Sequence, residues 1–400
     1  MMLPMWWREF IADLRGSAIA LLMVGAYAAA SESMTVLLAS LERVPLQVET
    51  LDETTLRGSD SSGRERTVAL AELLAMDRFD AAPRAGRERL VLHVAGGLQL
   101  PGVPRAMGEE TLAWSSDLLG EVAVPVSLIE RVQRGSGRPL QRSAAEDVLQ
   151  LANGDRVRGA IVVADSNSVS VQTPAGELSV EWGSIVAMSL AAAEGAKETG
   201  APAAYRVTLA DGAVWEMQRL SIAAGQVMLT PRYAVVGEEP SRPLALPLAQ
   251  LVSLERIGGA ATWLARLKPA SVTATPFLGR GATAPALTVG GPLRLGDGHA
   301  RTFVRMHPRC RASYAVPAGA QRLHTRVAQQ REGVLADATV RILLDGKVAH
   351  EQAGVRSTSP GEAMEIALGS AREVALEVDY GENYDVEDAV LWLDPLLLGR

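Results

Sequence analysis

Between residues 88 and 257 one arrangement recurs three times: a short strand-like run, a tight glycine turn and a returning run. The copies read Val94-Ala95-Gly96-Gly97-Leu98-Gln99-Leu100-Pro101-Gly102, Leu151-Ala152-Asn153-Gly154-Asp155-Arg156-Val157-Arg158-Gly159 and Leu209-Ala210-Asp211-Gly212-Ala213-Val214-Trp215. Asn-Gly and Asp-Gly supply the positive φ angles that two-residue hairpin loops need. Each copy also ends alike, at Glu121–Ile129, Glu177–Ile185 and Leu244–Val252. A degenerate earlier copy is expected from Val44 to Met76, where the rhythm persists without the turn glycine. Self-similarity at a spacing of roughly 45 to 60 residues signals repeated structural units.

Within a copy the alternation has period two. Val169 and Val171 share one face, with Ser168, Ser170 and Gln172 on the other, and Leu178, Val180 and Trp182 repeat the pattern. Five such strands can curl into a small barrel that hides its edges. The rhythm resembles that of SH3-like or Sm-like small barrels, which carry no inherent chemistry and imply a scaffold or spacer. Units are expected at 31–135, 144–190 and 204–257. Gln133–Pro139 and Ala191–Ala204 read as linkers between copies, and Ile257–Ala261 as the entry to a last domain at 262–398.

The N-terminus reads as an export signal at 1–30. Arg8 and Arg15 precede the apolar run Ser17–Ala30, and small Ala28 and Ala30 suit cleavage before Ser31. The run is shorter than the roughly 20 residues that span a bilayer, so no stable membrane span is expected after cleavage. A signal helix and a secreted, periplasmic or cell-surface location follow. A net charge of −7 leaves no basic face for phosphates, which argues against nucleic acid. The single Cys310 excludes an intrachain disulfide and reads as a small buried hydrophobe.

The last third carries a second resemblance. Trp263–Val272 with Thr275-Pro276-Phe277, then Gly290–Gly296, Tyr314-Ala315-Val316-Pro317, and Thr339–Val348 with its Asp345-Gly346 turn fall in order. They are followed by Val378-Asp379-Tyr380-Gly381-Glu382-Asn383-Tyr384-Asp385-Val386-Glu387-Asp388-Ala389-Val390-Leu391-Trp392. This series resembles the carbohydrate-binding module found beside family 98 glycoside hydrolases. The resemblance implies a galactose-binding-like, jelly-roll β-sandwich with ligands on loops at one end. The chain departs from the family where a glycine-rich segment has become Thr302–His307, where paired aspartates have become Gln329–Glu332, and where the closing histidine is missing. The expected fold is thus all-β: barrel-like repeats, then a C-terminal sandwich.

Candidate chemistry is confined to binding. Tyr380 and Tyr384 offer sugars an apolar ring face and a hydroxyl, or else serve as core or rim residues. With Asp385 they are the first candidates for carbohydrate contact, and His307 and Arg326 the second. Asp379, Glu382 and Asp388 read first as a solvated acidic turn between two strands, with calcium binding through oxygen ligands as the alternative. The five histidines show no paired ligand spacing, and no GxSxG, HExxH or phosphate-loop motif is present. The expectation is an exported, non-catalytic protein whose partner is a glycan or glycoconjugate. Its rivals are an envelope component that binds envelope proteins and, last, a glycoside hydrolase needing two carboxylates at set separation.

Overall fold

The structure, a computed structural model, describes residues 33–399 except 80–88, 96–97, 136–139, 141–145, 192–202, 233–242, 276–285, 296–297, 332–335 and 383–388. The export-type segment, the turn glycines Gly96 and Gly97 and most of the 191–204 linker lie outside the described residues. The described residues are all-β, their helices being single 3₁₀ turns. No helix among them is long and apolar enough to cross a membrane.

Four five-stranded barrel-like units come first. The first holds β1 (Ser33–Leu38), β2 (Arg43–Leu51), β3 (Thr55–Ser59), β4 (Glu65–Ala69) and β5 (Leu73–Asp77). The second holds β6 (Leu90–Val94), β7 (Leu98–Met107), β8 (Thr111–Ser116), β9 (Gly120–Pro125) and β10 (Ile129–Arg134). The third holds β11 (Asp147–Leu151), β12 (Arg156–Ala164), β13 (Ser168–Thr173), β14 (Gly176–Glu181) and β15 (Ile185–Ser189). The fourth holds β16 (Tyr205–Leu209), β17 (Val214–Ala223), β18 (Gln226–Pro231), β19 (Leu244–Pro247) and β20 (Leu251–Arg256).

In every unit the first strand pairs with both the second and the fifth, and a 3₁₀ turn precedes the fifth. The long second strand slips register against the third in all four, after Val48, Pro104, Ile161 and Met217. Such a bulge bends a strand, which lets five short strands curl around an apolar centre. Gly154 (φ 93°) and Gly212 (φ 91°) hold the first hairpin turns of units three and four. Unit one begins at Ser33 rather than Val44, and Leu41 (φ 68°) takes the turn position. Gln133 and Arg134, which read as linker, belong to β10.

The units are nested. The fifth strands of units one and four pair antiparallel, with Leu254 opposite Met76. Those of units two and three pair in the same register, with Val132 opposite Met188. A continuous core runs through all four, with Trp114 and Trp215 fully buried. The equivalent positions Asp77, Gln133, Ser189 and Glu255 are all buried polar residues. Only the outer pair carries charge there, and the last domain rests on that pair.

That domain is a β-sandwich. Its first sheet has the order β23 (Leu287–Gly290), β26 (Phe303–Met306), β33 (Val390–Leu398), β28 (Arg322–Gln329) and β31 (Met364–Ala367), with β21 (Ala261–Trp263) also on β33. Its second has the order β22 (Ser271–Ala274), β27 (Cys310–Ala315), β32 (Glu373–Tyr380), β29 (Ala338–Leu344) and β30 (Lys347–Val355). A small hairpin, β24 (Leu293–Leu295) and β25 (Gly298–Ala300), lies apart. Alternate residues such as Val374, Leu376 and Val378 of β32 meet Trp392, Val304 and Tyr314 in the core. Asp345 (φ 47°) and Gly346 (φ 80°) form the turn between β29 and β30. Cys310 is buried beside this core, and burial pushes its thiol up to about 11, which makes it inert at neutral pH.

Candidate functional site

The pairing places Ala274, Cys310, Val378, Ala338 and Val355 at one end of the second sheet. Leu287, Met306, Val390 and Gln329 mark the same end of the first. The connections leaving these strand ends include the acidic aromatic run, so this rim is where a ligand can reach many segments at once.

On the outer face of the second sheet, period-two alternation and antiparallel pairing build a ladder of opposite charges. Arg311 of β27 lies 4.0 Å from Glu377 of β32, and Arg341 of β29 lies 2.9 Å from Glu377 and 3.0 Å from Asp379. Asp379 also meets Arg309 at 3.4 Å. Burial alone would raise the Asp379 carboxyl, but the hydrogen bond from Arg341, the Tyr380 N–H and both guanidinium charges outweigh it and hold the group below its usual range. It is ionised at neutral pH.

Tyr380 closes the ladder. The Arg309 guanidinium sits 5.2 Å from its ring centroid, and its hydroxyl donates to the Thr275 carbonyl at 3.5 Å. Beside it a groove of about 270 Å³ is lined by Thr273, Thr275, Arg309, Arg311, Glu377 and Asp379. Hydroxyls, guanidinium donors and carboxylate acceptors therefore converge next to an aromatic residue.

A second tie braces the rim. Asp337 is almost fully buried, accepts from Arg356 Nη2 at 3.0 Å and from the Glu382 N–H at 3.1 Å, and its carboxyl is held below the usual range first by the Arg356 hydrogen bond. A side chain at Gly381 would collide with the carbonyl oxygen of Asp337, so glycine is required where these two segments cross.

Of the residues singled out from sequence, Tyr380 and Asp379 sit together at the groove. His307 is half-buried, with its backbone N–H donating to the Ala286 carbonyl at 3.0 Å. Arg326 lies elsewhere, on the first sheet beside Asp394 at 3.5 Å, where the sandwich meets the first barrel. Tyr384, Asp385 and Asp388 fall outside the described residues. Asp379 is neutralised by arginines and the Glu382 carboxylate lies 3.6 Å from Arg356. Among the described residues no three metal-ligating side chains gather, so these two alone make no calcium cage. Arg309, Arg311, Thr273 and Thr275 went unnoticed in the sequence. Their signal was the alternation Arg309, Arg311 against Glu377, Asp379, which acquires meaning only once β27 is paired with β32.

Comparison with known protein families settles the kind of domain. Residues 261–398 match the NPCBM/NEW2 domain. No curated protein matches the chain. Among solved structures, the chain is similar to the CBM51 module of a family GH95 protein from Clostridium perfringens, solved with methyl-galactose. That likeness is at 14% identity over 34% of this chain and 99% of that one, with a TM-score of 0.28. The tandem CBM51 modules of a family 98 glycoside hydrolase from Streptococcus pneumoniae match at 11% identity over 63% of this chain and 88% of theirs, with a TM-score of 0.29.

Proposed function

We propose that this chain is an exported, non-catalytic protein that binds a glycan through the rim of its NPCBM-like domain. The observation that carries the reading is the match over residues 261–398, joined to a rim groove whose chemistry suits sugar. A pyranose presents vicinal hydroxyls that donate and accept at once. Thr273, Arg311 and Asp379 offer both functions within one groove, while the exposed Arg309 and the Tyr380 ring offer a planar surface for C–H faces. Export rests on the Ser17–Ala30 run, and the absence of a catalytic motif supports a binding role.

The test uses the full chain on a glycan array, with calcium and with chelator, followed by calorimetry on the ligands retained. Tyr380→Ala and Arg309→Ala are expected to weaken binding by about tenfold each, the scale of one lost charged or aromatic contact. Their melting temperatures should stay close to wild type. A folded chain that retains no glycan would sink the reading, and hydrolysis of a retained glycan would remove its non-catalytic half.

A further inference from the structure

A second pocket lies far from the groove's chemistry, between the β1–β2 hairpin of the first barrel and the first sheet of the sandwich. It encloses about 210 Å³. One side is apolar: Leu37, Leu41, Leu396 and the Trp263 indole line it. The other side is cationic. Arg43 Nη2 and Arg326 Nη2 both turn to Asp394 Oδ2, at 2.7 and 3.5 Å. The other Asp394 oxygen already accepts the Arg301 and Thr302 N–H groups, at 2.7 and 3.0 Å. The neutral His299 carbonyl accepts from Arg43 Nη1 at 3.2 Å and from Arg326 Nη2 at 3.5 Å. Two guanidiniums therefore share one carboxylate oxygen and one carbonyl, and among the residues lining the pocket two positive charges face one negative charge.

Two more features set this place apart. His324 also lines it, and its Nδ1 is buried with no hydrogen-bond partner, the nearest carboxylate oxygen being that of Glu365 at 3.8 Å. Burial lowers the His324 pKa, so the ring is neutral and leaves the cationic excess to the arginines. The backbone is strained here as well. Among the described residues only Leu41, Ala224, Asp345 and Asp394 are non-glycine residues with positive φ, and Leu41 (68°) and Asp394 (48°) both line this pocket. At the position of Leu41, units three and four use Gly154 and Gly212. A leucine costs energy there, and its side chain forms a wall that glycine would leave open.

We propose that this junction pocket is a ligand site distinct from the rim, built for a compact carboxylate with an apolar body. Each guanidinium has five N–H donors, more than Asp394 and the His299 carbonyl take up, and the bidentate Arg–carboxylate geometry favours an anion over a neutral group. A polyol suits the site poorly, because Leu37, Leu41 and Leu396 offer its hydroxyls no partners. Size agrees: an apolar cavity of about 150 Å³ accommodates benzene, so 210 Å³ holds a ring with its carboxylate at the arginine wall.

The probes are phenylacetate and its neutral counterpart phenylacetamide, titrated into the full chain by calorimetry. Phenylacetate should bind saturably, and phenylacetamide about tenfold more weakly. Arg326→Gln should erase most of that difference, while Leu41→Gly, which relieves the positive φ, should weaken both probes with the fold intact. Absence of saturable phenylacetate binding in the millimolar range, or equal binding of the amide, overturns the proposal. The wild-type comparison decides even if a variant fails to fold. Because these residues lie off the rim, glycan binding should survive both substitutions.

Discussion

Arg301 is the residue on which the attachment of the sandwich to the barrels should depend most. It stands between β25 and β26 with its side chain 5% exposed. Its guanidinium bonds directly to Asp77 at the end of β5, lies 3.7 Å from Glu255 in β20, and rests 5.7 Å from the Trp263 ring centroid. One side chain thus holds the paired last strands of units one and four. Arg301→Met keeps an unbranched apolar side chain and removes the guanidinium, including its contact with the Trp263 ring. Glu255 retains Arg266 at 3.3 Å, but Asp77, whose carboxyl burial already raises above its usual range even beside Arg301, loses its arginine in a site that excludes water and must stay charged or take up a proton there. Breaking a buried pair in this way costs up to about 3–5 kcal/mol. The figure is the penalty of the broken pair, not the net worth of the pair, so Asp77→Asn in the Arg301→Met background should recover much of it. Urea unfolding of the four proteins of this cycle, followed by circular dichroism, measures both quantities. A loss below about 1 kcal/mol for Arg301→Met, or no recovery on adding Asp77→Asn, would refute the argument.

Other consequences are as specific. Burial, and then the nearby Arg131, lower the His93 pKa from 6.5 to about 4, so the native state holds the ring neutral while Arg131 donates to Nδ1 at 3.3 Å. The unfolded chain binds the extra proton between these values, so stability should fall as the pH drops from 6.5 towards 4, by up to about 3 kcal/mol. His93→Gln should flatten that slope in urea titrations run across the window, and an unchanged slope would disprove the assignment. Gly381→Ala forces the added carbon against the Asp337 backbone. It should destabilise by about 1–3 kcal/mol and weaken rim binding, and a variant with wild-type melting and binding would show that the crossing can relax.

How much of this is legible without the structure depends on how local the determinant is. The Asn153-Gly154 and Asp211-Gly212 turns carry their own backbone requirement, so the hairpins of units three and four can be read directly. In unit one the same turn is held by Leu41, which packs beside Leu37, Leu74 and Trp263, and that tertiary contact has no local mark. The sandwich is legible through the order of its landmarks and the Asp345-Gly346 turn. The groove is not, because it arises where two strands far apart in sequence set Arg309 and Arg311 beside Asp379 and Glu377. Arg326 shows the converse. Its sequence position places it in the sandwich module, but only the tertiary structure shows that it lies at the junction beside Asp394 and not on the rim.

The last strand explains why barrels and sandwich belong to one body. All nine residues of β33, Val390–Leu398, are buried, although strand alternation should leave one face of a sandwich sheet to solvent. The inward residues Val390, Trp392 and Leu397 fill the sandwich. Leu391 and Leu393 lie under the β24–β25 hairpin, and Leu396 and Leu398 meet Leu37, Leu74 and Ala75 of the first barrel. Asp394 makes the change of cover possible. Its positive φ and the register slip between His324 and Arg326 rotate the strand midway, turning it from the hairpin towards the barrel. The barrel pair closed by β5 and β20 is therefore a missing face of the sandwich rather than a spacer beside it. The residues of that face, Leu396 and Leu398, belong to the end of β33 opposite Val390, so Tyr380 and Arg309 lie at the other end of the sandwich.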